Sequence, residues 1–192
     1  MGSSSGTSTL RRGDHAIQVF HTEVERVRLV EEVLDWIRDD EIFIFLSVLP
    51  MSEFLCQCRE SLATRIERSI SSGKMVIMNS HSFYCDGGEF SCEAMLERWN
   101  DLVSEHRSNG FNGIVVVGDL SWSSESKELF SKVMEYEVKV ISDRLPQGMT
   151  AICQYDSRLY DDEEMERITS LHEIQMIDGG IRRNYWLITH HQ

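Results

Sequence analysis

Positive charge is scarce in this chain, and proline scarcer. The 192 residues carry 19 Lys and Arg against 32 Asp and Glu, a formal net charge of -13. Such a surface repels phosphate backbones and anionic lipid, which argues against nucleic-acid and membrane partners. The densest basic stretches, Arg11-Arg12 and Arg182-Arg183, are too short to reverse that. No apolar run is long enough to span a bilayer. Met1 to Thr9 is Gly, Ser and Thr-rich and lacks the apolar core of a secretory leader, so it reads as a flexible tail. Five cysteines, an odd number, do not make a disulfide framework. Reduced thiols and a cytoplasmic location are therefore expected.

Chemical signatures are missing too. A phosphate-binding loop of the form G-x-x-x-x-G-K-[ST] is absent. Where it would follow the first strand, the chain reads His21-Thr22-Glu23-Val24-Glu25-Arg26. Thr22 and Glu25 have the spacing of a capping box, and two carboxylates occupy a helix start that would otherwise attract an anion. No G-x-S-x-G elbow is present to expose a nucleophilic serine. Cys56-Gln57-Cys58 has one intervening residue, so on a helix the thiols diverge and make no zinc half-site. Cys58 and Cys153 read as small core residues, while Cys85 and Cys92, in or beside a loop, are the thiols expected to react faster. His81, Cys85 and Cys92 lie in or beside one loop and could converge on a metal, but their spacing matches no familiar zinc pattern. Neither a cofactor nor a metal is expected, and the protein reads as a non-enzyme.

What is present is an alternation of strands and helices. Ile114 to Val117 is a run of four branched apolar residues with no polar alternation, which suits a strand buried on both faces. It stops at Gly118-Asp119. Ala16–Phe20, Ile42–Val48, Met75–Met78 and Met149–Tyr155 are further strand candidates. Helices are expected from Thr22 to about Arg38, Ser52 to Ile70, Cys92 to His106, Ser124 to Ser142 and Asp161 to Leu171. Ile174–Ile177 and Asn184–Ile188, around Asp178-Gly179-Gly180, predict a hairpin. The fold class is three-layer α/β, with a mostly parallel central sheet, helices on both faces and a C-terminal antiparallel hairpin. A hydrophobic fraction of 41% supplies one packed core. One domain, residues 13–188, is expected between tails 1–12 and 189–192.

Open sheets of this kind bind ligands at the carboxyl ends of their strands. Phe20, Tyr84, Trp122 and Tyr155 fall at or just after such ends and could supply apolar contact. Asn79, His81, Asp119 and Asp156 could supply polar selectivity, with His21 beside them. A buried Asp119 would need a donor, for which His81 and Arg26 are the candidates. The alternative is that Asp119 caps the next turn and Trp122 packs in the core. His15, His106 and His172 read as ordinary structural histidines.

Gly13-Asp14-His15 before a strand ending in Phe20, then Gly118-Asp119-Leu120-Ser121-Trp122, then Cys153-Gln154-Tyr155, resemble the MEDS domain, the methanogen/methylotroph sensory domain. The resemblance runs from about Gly13 to Ile188. It implies a KaiC/RecA-type ATPase fold without a working phosphate loop, used to sense small organic compounds in signal transduction. The family usually has an aromatic residue where His21 stands, commonly Glu where Asp119 stands, and Pro where Glu173 follows His172. A small organic ligand is the expected partner. Output is expected through a separate signalling protein or self-association. The other readings are an ATPase-like interaction scaffold without ligand, and a cryptic nucleotide- or metal-dependent enzyme.

Overall fold

The computed structural model describes residues 10–85, 88–177 and 180–183. The strands are β1 (His15–Phe20), β2 (Glu41–Ser47), β3 (Met75–Asn79), β4 (Gly113–Asp119), β5 (Met149–Asp156), β6 (Ile174–Ile177) and β7 (Gly180–Arg183). The helices are α1 (Glu23–Trp36), α2 (Met51–Gln57), α3 (Glu60–Ser71), α4 (Ser80–Tyr84), α5 (Cys92–Ser108), α6 (Lys127–Asp143) and α7 (Asp162–Ser170). The strands form one sheet in the order β3-β2-β4-β5-β1-β6-β7. Neighbours run parallel except β6 and β7, which are antiparallel. This is the expected α/β architecture. The arm expected at Asn184–Ile188 and the turn at Asp178-Gly179 lie outside the described residues, as do residues 1–9 and the C-terminal tail. Among the described residues no helix is long and apolar enough to cross a membrane.

Alternate residues of each strand serve opposite faces. Val115 and Val117 of β4, with Phe43 and Phe45 of β2, pack under Val30 of α1, Phe54 of α2 and Ile66 of α3. Ile114 and Val116, with Ala151 and Cys153 of β5, pack under Trp99 of α5, Val133 of α6 and Ile168 of α7. Every residue of β2, β4 and β5 is buried, which is why those segments carry unbroken apolar runs rather than an alternating pattern.

The single helix expected from Ser52 to Ile70 is two. Cys58 and Arg59 are extended (ψ 145 and 150), and α3 starts afresh at Glu60. No glycine or proline marks the break, so nothing local announces it. Tertiary packing sets it: Phe54 seats against Phe45, ring centroids 4.8 Å apart, and Gln57 accepts a hydrogen bond from Arg26. The capping boxes at Thr22–Glu25 and Asp161–Glu164 both form.

The cysteines need correction. All five are free, but Cys85 is buried and Cys92 half-buried at the start of α5, whereas Cys56 is exposed. Burial pushes the Cys85 and Cys92 thiols up, away from the reactive thiolate. A thiol reagent is therefore expected to label Cys56 first, and Cys85 and Cys153 only on unfolding. Peptide mapping after timed alkylation checks this, and Cys85 labelling ahead of Cys56 would contradict it.

Gly118 is required by a close approach. A Cβ there would lie 2.5 Å from the Tyr84 hydroxyl oxygen. The Tyr84 ring is held between Trp99 and Trp122, at centroid distances of 6.0 and 5.4 Å, and has little room to swing. Gly118→Ala is expected to destabilise the fold by about 1–3 kcal/mol through overpacking. Tyr84→Phe in that background should recover part of the loss, as read from urea unfolding midpoints.

Candidate functional site

Two polar centres lie on opposite faces of the sheet. The first is built on Asp119, the last residue of β4, whose side chain faces α1. Asp119 is fully buried. One carboxylate oxygen accepts the Ser121 amide at 3.0 Å, the turn-capping role. The other meets Nη1 of Arg26 at 3.3 Å. Of the two donors considered for Asp119, Arg26 is the one the fold supplies. Burial pushes the Asp119 carboxyl up, against the pull of Ser121 and Arg26. Arg26, itself 2% exposed, also donates to Gln57 Oε1 and forms an ion pair with Glu23 Oε2, each at 2.9 Å, and lies near the rings of Phe20 and Phe54.

The start of α1 is closed to anions. Glu25 accepts the amides of His21 at 2.7 Å and Thr22 at 2.9 Å, and Thr22 Oγ1 accepts the Glu25 amide. Those amides hold the Glu25 carboxyl below its usual range. The amides of His21, Thr22 and Glu25 are thus engaged within the chain, and two carboxylates, Glu23 and Glu25, stand at the helix start.

The nine residues predicted to bind ligand do not line one open crevice. Asp119 and Phe20 lie on the α1 face, whereas Tyr155 points to the α6 face and donates to Glu137 Oε1 at 3.0 Å. Trp122 is 5% exposed and joins Tyr84 and Phe90, at 5.4 and 5.7 Å between ring centroids. Its indole N–H is buried without a hydrogen-bond partner. His81, exposed on α4, meets the edge of Trp122 at 5.9 Å. Asn79 caps α4 by accepting the Ser82 amide. Asp156 is paired with Arg158 at 2.6 Å, and His21 touches Ser157. The structure thus brings His81, Tyr84 and Trp122 into one aromatic group and separates Phe20, Asp119 and Tyr155 from it.

The second centre was not legible as a site in the sequence. His15 of β1, Cys153 of β5, Glu137 of α6 and His172, just after α7, present donor atoms that all lie within 4.8 Å of one another. His15 Nε2 is 3.2 Å from both Cys153 Sγ and Glu137 Oε2, and His172 Nε2 is 3.6 Å from Glu137 Oε2. Burial pushes His15 down, despite the pull of Glu137. Burial also works against charge on Glu137, yet both imidazoles hold its carboxyl well below the usual range. Burial and that carboxylate push the Cys153 thiol up. His15 and His172 are thus more than isolated core histidines. One signal was available: Glu137 sits in the apolar stripe Phe130, Val133, Met134, Val140, at helical spacing from its neighbours. His81, Cys85 and Cys92 do not converge in this way among the described residues.

Solved structures share the architecture. An uncharacterized protein from Pyrococcus horikoshii, in complex with an unknown peptide, superposes with a TM-score of 0.57 at 13% identity, covering 91% of this chain and 83% of that one. A KaiC-like protein from Pyrococcus horikoshii gives a TM-score of 0.54 at 11% identity, covering 85% and 71%. At these identities the likeness is one of fold alone. No curated protein matches the sequence. Residues 14–173 match the MEDS family, described as the methanogen/methylotroph, DcmR sensory domain, and span most of the chain. The chain belongs to the MEDS family.

Proposed function

We propose that this protein is a non-enzymatic sensory domain that binds a small organic molecule at the carboxyl end of β4, beside Trp122. The carrying observation is the unpartnered indole N–H of Trp122, buried among aromatic side chains. A buried donor left unbonded is costly, and a ligand with a hydrogen-bond acceptor would satisfy it. Tyr84, Phe90 and His81 around it suit an apolar body. Asp119 supports the site indirectly, since its capped turn, Ser121–Glu125, carries Trp122. The signal would pass to a separate partner or to a second copy.

A nucleotide is disfavoured because Arg26 occupies Asp119 and Glu25 occupies the His21 and Thr22 amides just before α1. Incubation with Mg²⁺ and ATP is expected to give no turnover. Hydrolysis that disappears in Asp119→Ala would defeat the non-enzymatic reading.

For the ligand, a thermal-shift screen of small alcohols, aldehydes and halocarbons is expected to yield binders that also change tryptophan fluorescence. Trp122→Phe keeps an aromatic side chain, smaller than indole, and removes the N–H, and should weaken acceptor-bearing binders about tenfold, or ~1.4 kcal/mol. A binder that keeps full affinity for folded Trp122→Phe and folded Asp119→Asn would place the ligand elsewhere.

A further inference from the structure

We propose that His15, Glu137, Cys153 and His172 form a buried, four-coordinate site for a divalent transition metal, with Zn²⁺ the best fit. The site is independent of the ligand reading and lies on the other face of the sheet from Asp119.

Geometry comes first. Zinc binds imidazole nitrogen and carboxylate oxygen at about 2.0–2.2 Å and thiolate sulfur at about 2.3 Å, which places the donors of a tetrahedron roughly 3.3–3.7 Å apart. Three of the six separations are 3.2 Å from His15 to Cys153, 3.2 Å from His15 to Glu137 and 3.6 Å from His172 to Glu137, and the other three lie within 4.8 Å, so small side-chain shifts would close the tetrahedron. The donors come from three elements and a loop that the core already fixes, so little further ordering is needed.

The unsatisfied atoms point the same way. Glu137 Oε2 and His172 Nε2 are both buried without a hydrogen-bond partner. His172 Nδ1 lies 3.0 Å from the Ile168 carbonyl oxygen, which can only accept. In the neutral imidazole the proton is therefore on Nδ1, and Nε2 turns its lone pair toward a carboxylate that also only accepts. His15 Nε2, 3.2 Å from that carboxylate, makes no aligned hydrogen bond to it. Two facing acceptors in a dry interior call for a cation between them.

Charge and surroundings fit as well. Two neutral imidazoles, a carboxylate and a thiolate carry two negative charges, so a divalent ion leaves the buried site neutral. The ion would also offset what burial does to the Cys153 thiol, since a coordinated thiol is deprotonated. The Ile168 carbonyl fixes the His172 ring and the Tyr155 hydroxyl fixes Glu137, the outer contacts that orient metal ligands. Thiolate and imidazole together favour zinc over magnesium or calcium. The His15 side chain, 13% exposed where Glu137 and His172 are fully covered, offers the way in.

The test uses the full chain, stripped with chelator under reducing conditions and reloaded with Zn²⁺ or Co²⁺. One zinc per chain and a raised melting temperature are expected, the latter because the ion binds only the folded state. Zinc-edge X-ray absorption should show one sulfur and three nitrogen or oxygen neighbours. Co²⁺ should give the visible bands of a tetrahedral ion and a thiolate charge-transfer band. Cys153→Ser should lose that band, whereas Cys56→Ser and a His190→Ala, His191→Ala double variant should keep it. Tyr155→Phe should weaken zinc about 10–100-fold at unchanged stoichiometry. If Cys153→Ser does not fold, the wild-type absorption spectrum and Tyr155→Phe decide. Folded, reduced protein that takes up no zinc overturns the proposal. So does a bound ion with no sulfur neighbour, or one indifferent to Tyr155→Phe.

Discussion

A single buried ion pair, Arg26 with Asp119, joins the first helix to the middle of the sheet. Neither charge reaches water; Asp119 is also tied to the Ser121 amide and Arg26 to Gln57 and Glu23, while Arg26 Nε has no hydrogen-bond partner. Desolvating two charges is expensive, and the attraction offsets it only when such extra bonds are made. The pair is thus better understood as a positioning device than as a source of stability. It sets α1 over the sheet, holds the end of α2 through Gln57 and keeps the turn after β4 in place. Deleting one partner alone would strand the other charge, at a cost of about 3–5 kcal/mol.

The same pair also sets which groups face outward at the helix start. In a phosphate-binding enzyme of this shape, a cation and the amides of a helix start face an anion. Here the cation is turned inward to Asp119, and the amides are turned onto Glu25. Around Trp122 the carboxyl end of the sheet is aromatic, while beyond β5 and β1 it carries the ion pairs of Arg158 with Asp156 and Glu23. The face opposite Asp119 holds its own polar group around Glu137, in the same core layer as Trp122.

Much of the fold was legible because its cause is local. Unbroken apolar runs such as Ile114–Val117 reflect burial on both faces, and the capping boxes at Thr22 and Asp161 announce their helices. The break at Cys58 was not legible, because it follows from where Phe54 and Gln57 must go. Asp119 was recognisable as a buried carboxylate in need of a donor. Its role as both turn cap and ion-pair partner required the structure. The His15–Glu137–Cys153–His172 group escaped because its members come from distant segments with no common spacing. Only Glu137, a carboxylate on an apolar stripe, hinted at it. The metal candidates close in sequence, His81, Cys85 and Cys92, do not bring their donor atoms together among the described residues.

The strand order carries a consequence for how the chain reaches this state. β1 is made first, yet its neighbours are β5 and β6, which lie at the other end of the chain. β2, β3 and β4 can pair with one another as they emerge, whereas residues 15–20 wait until residues 149–177 exist. Closing so long a loop is slow, and an unpaired apolar strand is exposed meanwhile to aggregation. β1 can take its place between β5 and β6 only after both have been made, and the Glu137 centre needs His172 as well. The Asp119 centre differs, because all its partners lie within residues 23–121.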